Sequence, residues 1–298
     1  MRVPVEKTPS ANEPIQSKKR RLIRLSPKAF IKLTLLALLV AGVMATYFFF
    51  SSIPGRFNIL VIGSDQRAEE RGRSDVLMVV SLSRRNNQPV SILTIPRDTR
   101  VEVPGFGMQK ITHAYALGKR EDETGILGNR KLTEQTVEAF LGIPIDGTVE
   151  LTFDSFEQLI DRLGGVTTKS NGKLDGKAAL KIVRDRNRDG GDFARTADQR
   201  EILLGVVSEI RRKGAYSATY EFLHSSSESR IVVSKPRLAL FAIMAVFQNG
   251  TDFSFANAHN EVVPGTSERI YTPEFQKSLY YWVPDQAKTE KIVQDWFS

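Results

Sequence analysis

Between Arg56 and Arg200 the chain carries 16 arginines against seven lysines. Arginine presents a planar fork that grips phosphate or carboxylate oxygens through paired hydrogen bonds, whereas lysine serves equally well where only solubility is needed. The arginines fall into three groups: Arg67, Arg71 and Arg73; Arg97 and Arg100; and Arg184, Arg186, Arg188 and Arg195. Aspartates accompany each of them, Asp65 and Asp75 the first, Asp98 the second, and Asp185, Asp189 and Asp192 the third. Carboxylates beside a phosphate clamp suit Mg2+, or Mn2+ in its place, because a hard cation takes oxygen ligands and shares phosphate oxygens with the protein. Taken singly, these residues read equally well as exposed ion pairs of little worth. Their repetition points to an anion site.

Other chemistries are poorly supported. The chain has no cysteine, which excludes a disulfide scaffold, a thiolate zinc site and a cysteine nucleophile. Its three histidines, His113, His224 and His259, are far apart and lack metalloprotease spacing. No Walker loop, GxGxxG or GxSxG is present, so nucleotide hydrolysis and the serine-elbow mechanism are not leading readings. His113 reads as a polar edge residue of a helix.

Arginines at strand and helix ends need a sheet to present them, since α/β sheets bind ligands at such ends. The runs Phe57–Asp65, Asp75–Ser83 and Val90–Pro96 are apolar enough on both faces to be buried strands, with Arg84 to Pro89 as a turn. Helical patterns cover Lys110–Leu117, Leu132–Leu141, Asp154–Leu163, Lys177–Arg184, Thr196–Arg212, Pro236–Phe247 and Gln286–Phe297. For the third of these, Asp154 is the expected N-cap and Gly164-Gly165 the stop. Strands with helices between and after them predict an α/β sandwich, one domain over residues 56–298. Tyr280, Tyr281 and Trp282 are expected to pack the final helix.

The net charge of +8 is uneven. Residues 1–32, a basic cytoplasmic tail, hold nine Lys or Arg against Glu6 and Glu13, and the remaining residues nearly balance. From Leu33 to Gly55 no residue is charged, and residues 33–53 are read as a transmembrane anchor. Its first 18 positions span roughly 27 Å as a helix, close to a bilayer's hydrocarbon thickness. Lys18, Lys19, Arg20, Arg21, Arg24, Lys28 and Lys32 precede it, so the N-terminus is expected in the cytoplasm and the rest outside. The long apolar stretch and its aromatic end (Tyr47 to Phe50) favour an uncleaved anchor over a signal peptide. A nucleic-acid partner is not expected, because the basic tail lacks interleaved aromatics and ends at the membrane.

The ordered pieces NILVIGSDQR, GRSDVLMVVSLS, VSILTIPRDTRVEVPGFGMQKITHAYALG, LGIPIDGTVELTFDSFEQLIDRLGGV, LDGKAALKIVRDR and GDFARTADQR resemble the LytR-CpsA-Psr family of membrane-anchored glycopolymer transferases. The match covers residues 57 to about 210. The resemblance implies a three-layer α/β/α sandwich around a central mixed sheet, holding a polyprenyl (pyro)phosphate with its tail in an apolar tunnel and its head among arginines. It implies Mg2+-assisted transfer of a glycan phosphate from that lipid to peptidoglycan or another envelope acceptor, by a protein of the bacterial cell membrane. Asp65 and Asp75 match the family's metal-side aspartates, and Arg67 and Arg73 the arginines near them. Arg97 and Asp98 match the PRD pair, Arg184 and Arg186 the helix-end arginines, Arg195 the DFxR arginine and Gln199 the closing glutamine. Arg73, Arg97 and Asp98 are the expected catalytic residues, Asp98 as base or as an orienting group. Two positions depart from the pattern: Val76 replaces a usual Thr, and Asp198 a usual Arg, for which Arg200 or Arg188 is the candidate substitute. The rival readings are a hydrolase of the same lipid-linked glycan and a non-catalytic, regulatory lipid binder.

Overall fold

A computed structural model describes residues 26–51, 55–65, 72–83, 89–118, 128–185, 191–233, 258–272 and 276–298. The chain divides into two units, residues 1–52 and 53–298. In the first, α1 (Pro27–Ser51) starts six residues before the predicted anchor. Ser26 Oγ accepts from the Ala29 N–H at 3.2 Å, and Pro27, with no N–H of its own to satisfy, follows as the first helical residue. The span Pro27–Phe48 is long and apolar enough to cross a membrane, and none of it is buried in protein. Its two threonine hydroxyls are satisfied internally, Thr34 Oγ1 donating to the Phe30 carbonyl and Thr46 Oγ1 to that of Gly42.

In the second unit the strands are β1 (Arg56–Ser64), β2 (Ser74–Ser83), β3 (Ser91–Thr94), β4 (Arg100–Val103), β5 (Gly107–Lys110), β6 (Gly147–Thr152), β7 (Val166–Thr168), β8 (Gly172–Leu174), β9 (Ser229–Val233), β10 (His259–Val262), β11 (Gly265–Thr272) and β12 (Lys277–Pro284). The helices are α2 (Ile111–Ala116), α3 (Arg130–Leu141), α4 (Phe153–Arg162), α5 (Gly176–Arg184), α6 (Gly191–Lys213), α7 (Tyr216–Ser225) and, last, α8 (Gln286–Trp296). The central sheet runs β10-β3-β2-β1-β6-β9 and is mixed. β1 is antiparallel to β2 and parallel to β6, β3 is parallel to β10, and β9 runs against β6.

Strand alternation sends Leu60, Ile62, Leu77, Val79, Leu93 and Ile95 to one face, where α2, α3 and α8 cover them in a single core. Val61, Val76, Met78, Val80 and Ile92 point the other way and meet Leu203 and Leu204 of α6. Further along that face α4, α5, α6 and α7 close a second core with Val149, Leu151 and Ile231. The expected three layers are present.

Several predicted boundaries move. Thr152, not Asp154, caps α4, its hydroxyl accepting from the Ser155 N–H, and Asp154 sits in the first turn where its charge meets the positive helix end. Gly164 and Gly165, at φ 71° and 97°, end that helix as expected. Lys110 ends β5 and does not open α2. Tyr280, Tyr281 and Trp282 form a strand whose backbone joins the PRD loop, with the Trp282 N–H donating to the Asp98 carbonyl at 2.9 Å. The expected helix Pro236–Phe247 and all but Pro89 of the expected turn Arg84 to Pro89 lie outside the described residues.

α6 crosses β7 at Gly205. A Cβ there would run into the Val166 side chain and lie 2.9 Å from the Thr167 carbonyl oxygen. Gly205→Ala is expected to destabilise the domain by about 1–3 kcal/mol through overpacking, despite the helix preference for alanine. Urea unfolding of both proteins measures the difference, and an unchanged midpoint would contradict the crossing.

Candidate functional site

The carboxyl ends of β1 and β3 and the start of β2 bring Asp65, Arg73 and Asp75 up to the loop that carries Arg97 and Asp98. Asp65 follows β1; its Oδ1 accepts from the Arg73 N–H at 2.8 Å and its own N–H reaches the Arg73 carbonyl at 3.3 Å, which closes the loop between β1 and β2. Asp75, on β2, accepts from Arg97 Nη1 at 2.7 Å. Arg97 also faces Asp98, Nε to Oδ2 at 3.5 Å, and Asp98 Oδ1 lies 2.6 Å from Lys110 Nζ. The chain Asp75–Arg97–Asp98–Lys110 is thus one continuous ion-pair row. Its side chains are about one-fifth exposed, so they meet solvent and are less screened than surface pairs.

Backbone contacts hold this row in place. The Thr99 carbonyl accepts from the Ile111 N–H at 2.8 Å, the Arg97 carbonyl from Thr112 N–H at 3.2 Å, and Thr112 Oγ1 donates to the Ser74 carbonyl at 2.8 Å. Below it, α2 is anchored by Tyr115, whose phenol is kept protonated by burial and by the nearby Glu150 carboxylate. Glu150 is wholly buried and faces Arg230, Nε to Oε2 at 3.8 Å.

Lys110 is the member of this row that sequence reasoning missed. Besides Asp98 it faces the rings of Tyr281 and Tyr280, 5.6 and 6.0 Å from their centroids. Its position follows from the tight β4–β5 hairpin, turned through Gly105 and Gly107 at φ 79° and 71°. The PGFG sequence is the signal that marks this turn.

Burial lowers the pKa of His113, with the charges of Arg73 and Lys110 adding and that of Asp98 opposing. His113 is therefore neutral at pH 7, its Nδ1 3.1 Å from Gln109 Oε1. In the unfolded chain a histidine takes its proton near about pH 6.5. As pH falls through that value the unfolded state binds protons first and stability drops; above it the stability is complete. His113→Gln is expected to flatten this slope, read from urea midpoints between about pH 5 and 7; an unchanged slope would contradict the depressed pKa.

Beside the row, on the face covered by α4, α5 and α6, lies a narrow apolar slot of about 80 Å³. Gly63, Val76, Met78, Phe153, Phe156, Val183, Gln199, Leu203 and Val206 are among its lining residues. Slot and ion-pair row adjoin in the covalent chain itself: Gly63 is two residues from Asp65, and Val76 follows Asp75. Gly63 pairs with Val76 across the strands, and a Cβ on Gly63 would lie 3.0 Å from that of Val76. Val76, where the resembling family usually has a hydroxyl, makes this wall apolar.

The third arginine group is only partly described. Arg184 lies over the ring of Phe153, 5.1 Å from its centroid, so it stands beside the slot. Arg195 is buried in the first half of α6. Gln199 lines the slot, and its Nε2 donates to the Val183 carbonyl at 3.1 Å, satisfying an α5 carbonyl near that helix's end. Asp198 is buried, and Arg200 reaches Thr94 Oγ1 at 3.5 Å from a separate polar groove. Arg67, Arg71, Arg186, Arg188 and Asp189 lie outside the described residues, as does the side chain of Asp192.

Among the described residues no three His, Cys, Asp or Glu side chains gather as a metal cage. Two carboxylates at adjoining strand ends, Asp65 and Asp75, are nevertheless a fitting donor set for Mg2+. That ion keeps several waters and is commonly held by one or two carboxylates plus substrate phosphates.

Residues 51–173 and 167–296 match the model of the LytR_cpsA_psr family. The chain is 34% identical over 259 residues to the polyisoprenyl-teichoic acid–peptidoglycan teichoic acid transferase TagU of Bacillus subtilis (strain 168), covering 80% of this chain and 76% of that one. It is 31% identical over 252 residues to the TagU of Bacillus anthracis (strain CDC 684 / NRRL 3495), covering 78% and 76%. A solved structure of TagT bound to LIIa-WTA is similar with a TM-score of 0.60 at 26% identity, over 81% of this chain and 89% of that chain.

Proposed function

Because this chain belongs to the LytR-CpsA-Psr family, we propose that it is a membrane-tethered transferase moving a glycan phosphate from a polyprenyl-pyrophosphate carrier onto a cell-wall glycan. The observation that carries this reading is the junction of an apolar slot with the ion-pair row that holds Arg97 and Lys110 in place. A polyprenyl pyrophosphate has the same two halves, an apolar chain and a polyanionic head. The relatives named above as transferases of polyisoprenyl-linked teichoic acid to peptidoglycan support the substrate class.

The reaction is a displacement at phosphorus. A hydroxyl oxygen of the acceptor bonds to the glycan-linked phosphorus as the bond from that phosphorus to polyprenyl phosphate breaks; polyprenyl phosphate leaves with the electron pair, and the hydroxyl proton is released to solvent. Negative charge builds on the phosphoryl oxygens and on the leaving oxygen, so fixed cations accelerate the step. Arg97 and Lys110 are the cations the site holds ready, and Asp98, between them, fixes their spacing. Asp75 orients the Arg97 fork from the other side. Arg73 and Arg184 contribute from the two flanks, Arg73 beside His113 and Arg184 over Phe153. Asp65 and Asp75 would hold Mg2+, which when bound neutralises phosphate charge. The slot takes the first isoprene units, and its small volume implies that α6 and α4 part to admit more of the chain.

The anchor α1 fits this substrate, which resides in a membrane. The basic residues before it support a cytoplasmic N-terminus with the second unit outside. Product analysis tests the function: the full-length protein, given lipid-linked glycan and peptidoglycan, is expected to yield acceptor-linked polymer. Free glycan phosphate as the sole product would establish a hydrolase instead, and retention of intact lipid would establish a binder.

A further inference from the structure

Resting on the transferase reading, we propose that the outer face of the β11–β12 ribbon is the docking platform for the acceptor glycan. In the antiparallel register Arg269 pairs with Tyr280, Tyr271 with Ser278 and Ser267 with Trp282, so these side chains share one face. Tyr271 is 61% exposed, Tyr280 is 42% exposed and Arg269 is exposed, whereas Trp282 is buried at the root. Two open aromatic rings flank a guanidinium. Tyrosine offers an apolar ring face to the C–H face of a sugar and a hydroxyl to its oxygens, and arginine reads carboxylates. That set suits a glycan strand bearing acidic groups.

The position of the ribbon argues for the acceptor and against the donor. The tail slot lies on the sheet face covered by α4, α5 and α6. The ribbon is rooted on the other side, where Val263 joins the core under α2 and α3, and the Trp282 N–H binds the Asp98 carbonyl. In a phosphoryl displacement the attacking and leaving oxygens lie roughly in line across phosphorus. With polyprenyl phosphate leaving toward the slot, the attacking hydroxyl arrives from the ribbon side. Lys110, 6.0 Å from the Tyr280 ring centroid, links the platform to the ion-pair row.

The test uses full-length protein, soluble uncrosslinked peptidoglycan strands and a lipid-linked donor. Tyr271→Ala with Arg269→Ala is expected to weaken strand binding about tenfold or more and to raise the acceptor KM in step, while donor affinity and release of glycan phosphate to water stay unchanged. Tyr271→Phe, which keeps the ring, is expected to hold wild-type binding when Arg269 is intact. Unchanged strand affinity in the double variant overturns the platform, and so does an equal loss of donor affinity, which would assign the ribbon to the donor's own glycan. Strand binding is read directly, so a wild-type protein that binds strands without transferring anything would contradict the transferase reading and leave the platform standing.

Discussion

Arg97→Ala is expected to lower the transfer rate by about two to three orders of magnitude, the usual cost of removing one charge-stabilising donor from a site of this kind. Arg97 contacts both Asp75 and Asp98, so its loss removes the proposed phosphate clamp and breaks the link it makes between the two carboxylates. Urea midpoints of the same variants separate the catalytic loss from any cost to folding, since the pairs are largely buried and leave Asp75 and Asp98 without this partner. Arg97→Lys keeps the charge and loses the fork, and is expected to recover only part of the rate. Single-turnover kinetics of the three proteins decide the matter; full activity in the alanine variant would refute the assignment.

Leu203→Trp is expected to block the slot and reduce affinity for the lipid-linked donor by about a hundredfold. Each buried methylene contributes about 0.8 kcal/mol, so denying the slot to four carbons costs about 3 kcal/mol. Leu203 lies on the wall formed by α6, opposite Val76 and Met78, with the headgroup residues beyond them. A short-chain donor, whose tail fills less of the slot, should lose less, and Leu203→Ala, which widens it, should retain binding. Equal donor affinity for wild type and the tryptophan variant would show that the lipid lies elsewhere.

Much of this arrangement was legible in the residues. The runs at 57–65, 75–83 and 90–96 became β1, β2 and β3, because strands apolar on both faces have few alternatives. Asp65, Asp75, Arg97 and Asp98 converge because they stand at the ends of those strands. The remainder depends on distant pairing. β6 joins β1 in parallel after more than 80 intervening residues, and β9 and β10 complete opposite edges, so no local pattern reveals their order. α7 was missed because its exposed side carries Tyr216 and Tyr220 and its apolar period is short. Lys110 was hidden by a boundary: read as the start of a helix it points nowhere in particular, whereas as the last residue of β5 it meets Asp98. Gln199 carries a second duty that no motif states, tying α6 to α5 while lining the slot.

A crystal structure of the protein with a bound polyprenyl pyrophosphate addresses the central claim most directly. The pyrophosphate oxygens should lie within hydrogen-bond distance of Arg97 and Lys110, with the first isoprene units between Val76 and Leu203. A headgroup bound away from Arg97, or a tail on the α2 and α3 face of the sheet, would contradict the account.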